Sequence, residues 1–88
     1  MRTDLVLKYL CVVKSRSQVR ALCERGAVSI GQREAKPSTV LHANDRISIE
    51  LPSKILVISL VTVPERQLSK AEAPAYYEIV EERARDPW

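Results

Sequence analysis

The hydrophobic periodicity of the chain changes at Gly26, and this change limits the folds that the sequence can adopt. Before Gly26, apolar residues recur every three or four positions, which is typical of amphipathic helices. After it they alternate with polar residues, as in Val28-Ser29-Ile30, which is typical of half-buried strands. Helices followed by a run of strands are characteristic of α+β folds. The sequence therefore predicts two N-terminal helices packed on a small antiparallel sheet.

Two short helices are expected before Gly26. The first covers Thr3 to Val13, where leucines recur at helical spacing. The second covers about Arg16 to Arg25, because Ser15 and Gln18 form an S-x-x-Q capping box at its start. The glycine follows the last turn and is able to take the left-handed conformation that ends many helices.

Four strands are expected after the two helices. The first hairpin joins Val28–Ile30 to Arg33–Lys36 through Gly31-Gln32, with Gly at the first loop position. A third strand, Ile47–Leu51, alternates cleanly between apolar and polar residues. The fourth, Ile55–Val63, is rich in β-branched residues and is expected to pair with the third as an antiparallel partner.

The segment after residue 65 is rich in alanine and glutamate, and a C-terminal helix is therefore expected. Its start has two candidates. One is Ser69, which forms a capping box with Glu72. Pro74 is tolerated best at the first helical position, which places the start at about Ala73, and this later start is favoured. The end of the chain, Arg85 to Trp88, is expected to fray.

A chain of 88 residues is long enough for one small domain. We divide it into a domain at residues 1–64 and a helical extension at residues 65–88 that packs on this domain or flanks it. No apolar run approaches the roughly 20 residues needed to cross a membrane. The N-terminus also has no secretory signal, so a cytoplasmic protein is expected.

Motifs for catalysis and metal binding are absent from the sequence. It contains no glycine-rich phosphate loop and no nucleophile beside a histidine, so we expect no enzyme activity, no catalytic residue and no cofactor. Cys11 and Cys23 are too far apart for a C-x-x-C zinc or redox motif, and we expect no metal site. Both cysteines are expected to be small buried residues.

The charge of the chain is unevenly distributed. The net charge is only +3, but residues 1–36 contain eight basic and three acidic residues, a net charge of +5. Residues 37–88 contain six basic and eight acidic residues, a net charge of −2. This asymmetry is expected when one face of a protein meets a polyanion.

The junction of the two helices is the candidate binding site. Lys14, Ser15, Arg16 and Ser17 place two cations and two hydroxyls at a helix N-terminus, and each of these groups favours phosphate. Arg20 lies one turn further on the same face. Arg2 and Lys8 of the first helix extend this surface if the two helices pack side by side. The alternative is that these residues are ordinary solvated side chains.

A series of spaced motifs covers about residues 2–51. They are Arg2-x-Asp4-x-x-Leu7, Lys14-Ser15-Arg16-Ser17, Gly26-x-Val28-x-Ile30, Lys36-Pro37-Ser38 and Asp45-x-Ile47. Together they resemble the alpha-L RNA-binding motif, the S-four-type domain. The resemblance implies an RNA-binding surface made by the two helices and the hairpin after them. The RNA contacts of the family map onto Arg2, Lys14, Arg16, Arg20 and Lys36, and we add Lys8.

The size of the chain and its segment Ala73–Glu82 resemble the short stand-alone members of this family. These are the ribosome-associated quality-control factor P family (RqcP) and the fifteen-kilodalton ribosome-associated heat-shock protein family. The resemblance implies a non-enzymatic protein that binds rRNA and tRNA on the large ribosomal subunit with an obstructed peptidyl-tRNA. It also implies that the protein supports the addition of a C-terminal tail to the stalled chain. Off the ribosome we expect a monomer.

Three alternatives stay open. The heat-shock relatives have a long basic C-terminal extension that is missing here, so a heat-shock-type recycling role, or one in ribosome biogenesis, ranks behind quality control. A protein-interaction adaptor acting through the acidic C-terminal helix and Tyr76-Tyr77 ranks lower. The last is a detached targeting domain of an RNA-modifying enzyme.

Overall fold

The computed structural model describes residues 1–85 and has the predicted α+β architecture. The helices and strands are α1 (Thr3–Tyr9), α2 (Arg16–Glu24), β1 (Val28–Ile30), β2 (Arg33–Glu34), β3 (Arg46–Glu50), β4 (Lys54–Leu60), a short 3₁₀ helix (Ala73–Tyr76) and β5 (Tyr77–Ala84). The strands form one antiparallel sheet in the order β2-β1-β3-β4-β5. In the part of the chain that the structure describes, no helix has the length and apolar character needed to span a membrane.

The first hairpin has the predicted two-residue loop. Ile30 pairs with Arg33, so Gly31 and Gln32 form the connection between β1 and β2. Gly31 has a φ of +62°, the left-handed value that this loop needs at its first position. Strand β2 is two residues shorter than predicted and ends at Glu34.

The second helix forms as predicted. The Ser15 hydroxyl caps its N-terminus by accepting a hydrogen bond from the Gln18 N–H at 3.2 Å. At its other end, Gly26 has a φ of +71°. The N–H groups of Gly26 and Ala27 donate to carbonyls of the last turn at 3.0 and 2.9 Å, which is the bonding of a Schellman motif.

The first helix is shorter than predicted. The helix expected over Thr3 to Val13 ends at Tyr9, because Cys11 takes a φ of +61°. The N–H groups of Cys11 and Val12 donate to carbonyls of the last turn at 3.0 and 3.2 Å, so a non-glycine residue closes a second Schellman motif. The prediction that Cys11 is buried is wrong, because this turn leaves it exposed. Cys23 is buried as predicted, and burial raises the pKa of its thiol.

One apolar core fills the space between the helices and one face of the sheet. Buried residues of β3 and β4 alternate with half-exposed ones, so these strands turn a single face inward. The largest fully buried apolar side chains are Val6, Leu7, Leu10, Val19, Val28, Leu41, Ile47, Ile49, Ile58 and Leu60. This packing fixes the position of α1 and α2 relative to each other.

The predicted C-terminal helix is wrong. Only Ala73–Tyr76 is helical, as one 3₁₀ turn that starts at the favoured position and has Pro74 in its first turn. Residues Tyr77–Ala84 form β5, which pairs along the whole length of β4. Without this strand, β4 would expose a long unpaired apolar edge, and pairing outweighs the helix propensity of alanine and glutamate. Strand β5 belongs to the same sheet as β1–β4. The division of the chain at residue 64 stays a prediction.

Strand β5 is an exposed edge strand. Ile79 and Val80 have 56% and 46% of their surface exposed. The register shifts at Val80, which is left between the pairs that join Ile79 and Glu81 to β4. Arg85 is held by hydrogen bonds to the turn between β3 and β4, so the predicted fraying does not begin there. The rest of that prediction, for residues 86–88, lies outside the described residues.

The strand assignment predicts opposite effects for two substitutions at one exposed position. Glu78 faces Ser59 on β4 and forms no ion pair among residues 1–85. Glu78→Thr should raise the free energy of unfolding by about 0.5 kcal/mol, and Glu78→Ala should leave it unchanged or lower it, because strands prefer Thr. A helix would show the reverse order, since Ala is the better helix former. Urea denaturation of the three proteins measures the difference.

Candidate nucleic-acid interface

A buried carboxylate joins two of the predicted RNA-binding residues. Asp4, in the first turn of α1, is fully buried. Its Oδ1 and Oδ2 accept hydrogen bonds from Nε and Nη2 of Arg2, both at 3.2 Å. Its Oδ2 also accepts from Nη2 of Arg16, at the start of α2, at 3.2 Å. The two arginine side chains stay 46% and 47% exposed, so Asp4 holds both at the surface and leaves donors of each free.

The loop after β2 fixes the N-terminus of α1. The N–H groups of Thr3 and Asp4 donate to the carbonyls of Thr39 and Pro37 at 2.8 and 3.1 Å. The Thr39 hydroxyl accepts from the Lys36 N–H at 2.9 Å, which closes a turn over residues 36–39. Lys36 therefore begins the turn against which Asp4 is anchored. This turn brings the exposed Lys36 to the same end of the molecule as Arg2.

The start of α2 carries the other predicted contacts. Gln18 does not return its side chain to the Ser15 N–H, as a full capping box would; its Oε1 accepts from the Lys14 N–H at 3.2 Å instead. This bond fixes the chain just before the helix. Ser17 and Arg20 are exposed, with Arg20 one turn after Arg16 on the same face of α2.

A second group of cations surrounds an open cleft of about 350 Å³ at the other end of α1. Lys8, in the last turn of α1, and Lys14 both line it, so the structure brings these two predicted residues together. It adds Lys70, which the sequence interpretation missed because this residue belongs to the segment assigned as an extension. No sequence motif links Lys70 to the helices.

The structure thus places four of the predicted residues in two clusters. The first cluster, which we call the arginine cluster, consists of Arg2 and Arg16 on Asp4. Asp4 was part of the quoted motif but was not predicted as a site residue; an acid inside a basic N-terminal segment is the signal that indicates its role. The second, the lysine cleft, is lined by Lys8, Lys14 and Lys70. Of the other predicted residues, Ser15 and Ser17 are at the start of α2, Arg20 is one turn further along it, and Lys36 is in the turn over residues 36–39.

An ion pair orders the loop that carries Lys70. Arg66 donates to both carboxylate oxygens of Glu72, at 3.3 and 2.6 Å. Ser69 and Glu72 form the predicted capping box, each accepting from the other's N–H at 3.1 Å. The hydrogen bonds from Arg66, which have the largest effect, and those with Ser69 lower the pKa of Glu72 from 4.5 to about 2.

Comparison with known proteins supports an RNA-binding assignment. The family model described as S4 domain matches residues 1–47, more than half of the chain. The RQC P-site tRNA stabilizing factor of Halalkalibacterium halodurans is 30% identical over 82 residues, which cover 93% of this chain and 92% of that protein. The factor of the same name from Streptococcus pneumoniae is 29% identical over 82 residues, with the same coverage.

A solved structure has the same fold. The trimeric heat shock protein 15 of Vibrio cholerae superposes with a TM-score of 0.85 and 24% sequence identity. The match covers 91% of this chain and 81% of that one. The similarity therefore extends beyond the two helices and the hairpin to most of the five-stranded sheet.

The arginine cluster predicts that Asp4 contributes to stability. Asp4→Asn should lower the free energy of unfolding by about 1–3 kcal/mol, because one buried oxygen becomes an NH2 group that cannot accept its bonds, and the remaining bonds lose the negative charge of the acceptor. Glu50→Gln removes one negative charge at an exposed position of β3 and should change it by less than about 0.5 kcal/mol. Urea denaturation compares the two variants. Equal effects would show that Asp4 contributes no more than a surface charge.

The Arg66–Glu72 pair predicts acid resistance of the loop. Because the pKa of Glu72 is lowered in the folded protein, the pair stabilises the fold above pH 4.5 and is lost as the pH falls toward 2. The carbon-13 shift of the Glu72 carboxyl should therefore report a charged group at pH 3.5. Arg66→Gln should bring its midpoint back toward 4.5. A wild-type midpoint already near 4.5 would contradict the pairing.

Proposed function

This chain belongs to the S4 domain family, and from that membership and the geometry of its basic face we propose that it is a non-enzymatic RNA-binding protein of the large ribosomal subunit. In this proposal it contacts rRNA and tRNA when the subunit carries an obstructed peptidyl-tRNA. It supports C-terminal tailing of the stalled chain during ribosome-associated quality control.

The arginine cluster is the observation that supports RNA binding most directly. Guanidinium groups bind phosphate through two parallel N–H donors, and this geometry requires a fixed orientation. Asp4 supplies that orientation for Arg2 and Arg16 before any ligand arrives. Binding then orders fewer side-chain rotamers, which favours affinity. Ser15, Ser17, Arg20 and Lys36 extend this phosphate-binding surface, and Lys8 and Lys14 belong to the neighbouring lysine cleft.

The composition favours recognition of a folded RNA backbone. The chain contains no Phe, one Trp and three Tyr, so it offers few platforms for stacking single-stranded bases. Double-stranded RNA is bound mainly through its shape, its phosphates and its 2′-hydroxyls. Folded rRNA and tRNA present such surfaces. We expect affinity to depend on phosphate position more than on base identity.

The relatives support the choice of RNA and pathway. The two factors reported above are named for stabilizing P-site tRNA in RQC, and the match to each covers nearly the whole of both chains. A protein that stabilizes tRNA on a subunit has to contact the tRNA and the subunit together. Two groups of cations suit that task. We expect a protein with this task to be cytoplasmic.

Removing Arg16 should weaken binding without unfolding the protein. Arg16→Ala should reduce co-sedimentation with purified large subunits and lower the slope of log affinity against log salt concentration by about one unit. Arg83→Ala, at the sheet edge, removes the same charge and should leave binding unchanged. Circular dichroism checks that both variants are folded.

The variant Asp4→Asn separates orientation from charge in the same assay. It raises the net charge by one, which alone would strengthen binding to RNA. If Asp4 orients the arginines, binding should weaken instead, while Glu50→Gln with the same charge change should not weaken it. Wild-type protein that does not bind large subunits would overturn the proposed function.

A further inference from the structure

We propose that the lysine cleft is a second RNA-phosphate site, and that the segment after the first four strands completes it through Lys70. The inference rests on the proposed function, which it deepens by assigning part of the RNA contact to residues outside the matched S4 domain. The ligand is a backbone phosphate of the same RNA-containing complex.

The lining of the cleft favours an anion. Lys8, Lys14 and Lys70 share the cleft with Cys11, Val12, Val13 and Gln67, and no carboxylate lines it. Among residues 1–85, none of the three lysines forms an ion pair. Like charges around one cleft repel one another, and a bound phosphate removes this repulsion. Lysine is a common phosphate ligand because its ammonium acts as a compact point charge.

The position of Lys70 is fixed by bonds to the end of α1. The amide nitrogen of the Gln67 side chain lies 3.2 Å from the Lys8 carbonyl and 3.4 Å from the Tyr9 carbonyl. The Leu68 N–H also donates to the Tyr9 carbonyl, at 3.2 Å. The Tyr9 carbonyl has no partner inside the helix, and the Lys8 carbonyl also accepts from the Cys11 N–H of the closing turn, so the segment completes the cap of α1. Lys70 follows two residues later.

Two further contacts hold the same segment. The Cys11 thiol donates to the Leu68 carbonyl at 3.2 Å, and the Leu68 side chain is buried in the core with 3% exposure. The bonds of Glu72 to Arg66 and Ser69 order the loop on the other side of Lys70. The cleft is therefore built by the fold rather than by a mobile tail.

The lysine cleft and the arginine cluster are at opposite ends of α1. From Arg2 to Lys8 the helix advances about 9 Å at roughly 1.5 Å per residue. Lys14 and Arg16 are two residues apart, so the two groups adjoin at the start of α2, and Lys8 and Lys70 form the part of the cleft that extends away from the arginine cluster. We expect the contributions of Lys70 and Arg16 to binding to be additive.

The experiment compares two lysine variants of the full chain. Lys70→Gln keeps most of the side chain and removes the charge from the cleft. Lys54→Gln removes the same charge from an exposed ion pair with Glu82 on the sheet. Binding to tRNA and to purified large subunits is measured from low to high salt. Lys70→Gln should weaken binding roughly threefold to tenfold and lower the salt slope by about one unit, and Lys54→Gln should do neither.

The double variant tests whether the sites are separate. Arg16→Ala with Lys70→Gln should lower the salt slope by about two units, the total of the single losses. If Lys70→Gln behaves like Lys54→Gln while Arg16→Ala still weakens binding, the proposal that the lysine cleft binds RNA phosphate is overturned. The proposed function then stands.

A phosphate titration covers the case in which the wild-type protein binds neither RNA. Amide resonances of Lys8, Lys14 and Lys70 are followed by NMR while inorganic pyrophosphate is added. Shifts at these residues without RNA binding would assign the cleft to a free phosphate ligand and overturn the RNA assignment. Absence of both shifts and RNA binding would overturn the cleft and the proposed function together.

Discussion

The Asp4 carboxylate is fully buried, and its charge is balanced by guanidinium groups from two different helices. A buried charge is costly unless it is paired, so the fold has to keep Arg2 and Arg16 within reach of it. This requirement fixes the N-termini of α1 and α2 relative to each other. It also places the two guanidinium groups at the surface in a defined orientation. In the proposed function, stability and RNA binding therefore depend on the same three side chains.

The strength of local signals decides how much of the fold could be predicted from the sequence. Helix α2 and the first hairpin are specified by neighbouring residues, namely the cap at Ser15 and the left-handed glycines 26 and 31, and both were predicted. The early end of α1 depends on a left-handed Cys11, which sequence rules reserve for Gly or Asn. Strand β5 depends on pairing with β4, and no local propensity reports that.

The candidate site shows the same limit. Charge and motif identified the cations on α1 and α2, because these residues are close in sequence or belong to a spaced pattern. The placement of Lys70 depends on hydrogen bonds between residues 57 to 59 positions apart, such as those from Gln67 to the end of α1. Such contacts follow from the topology of the sheet, which returns the chain to the helices. Periodicity and spacing do not contain this information.

In the proposed function, the arginine cluster and the lysine cleft bind RNA phosphates through different physical effects. Guanidinium groups held by a carboxylate are oriented in advance, so they favour one phosphate geometry and give selectivity. Ammonium groups without an ion pair keep their rotamer freedom and act mainly through charge, which promotes attraction over distance. The net charge of +3 is therefore less informative than its distribution, which in the proposed function turns the helices toward RNA.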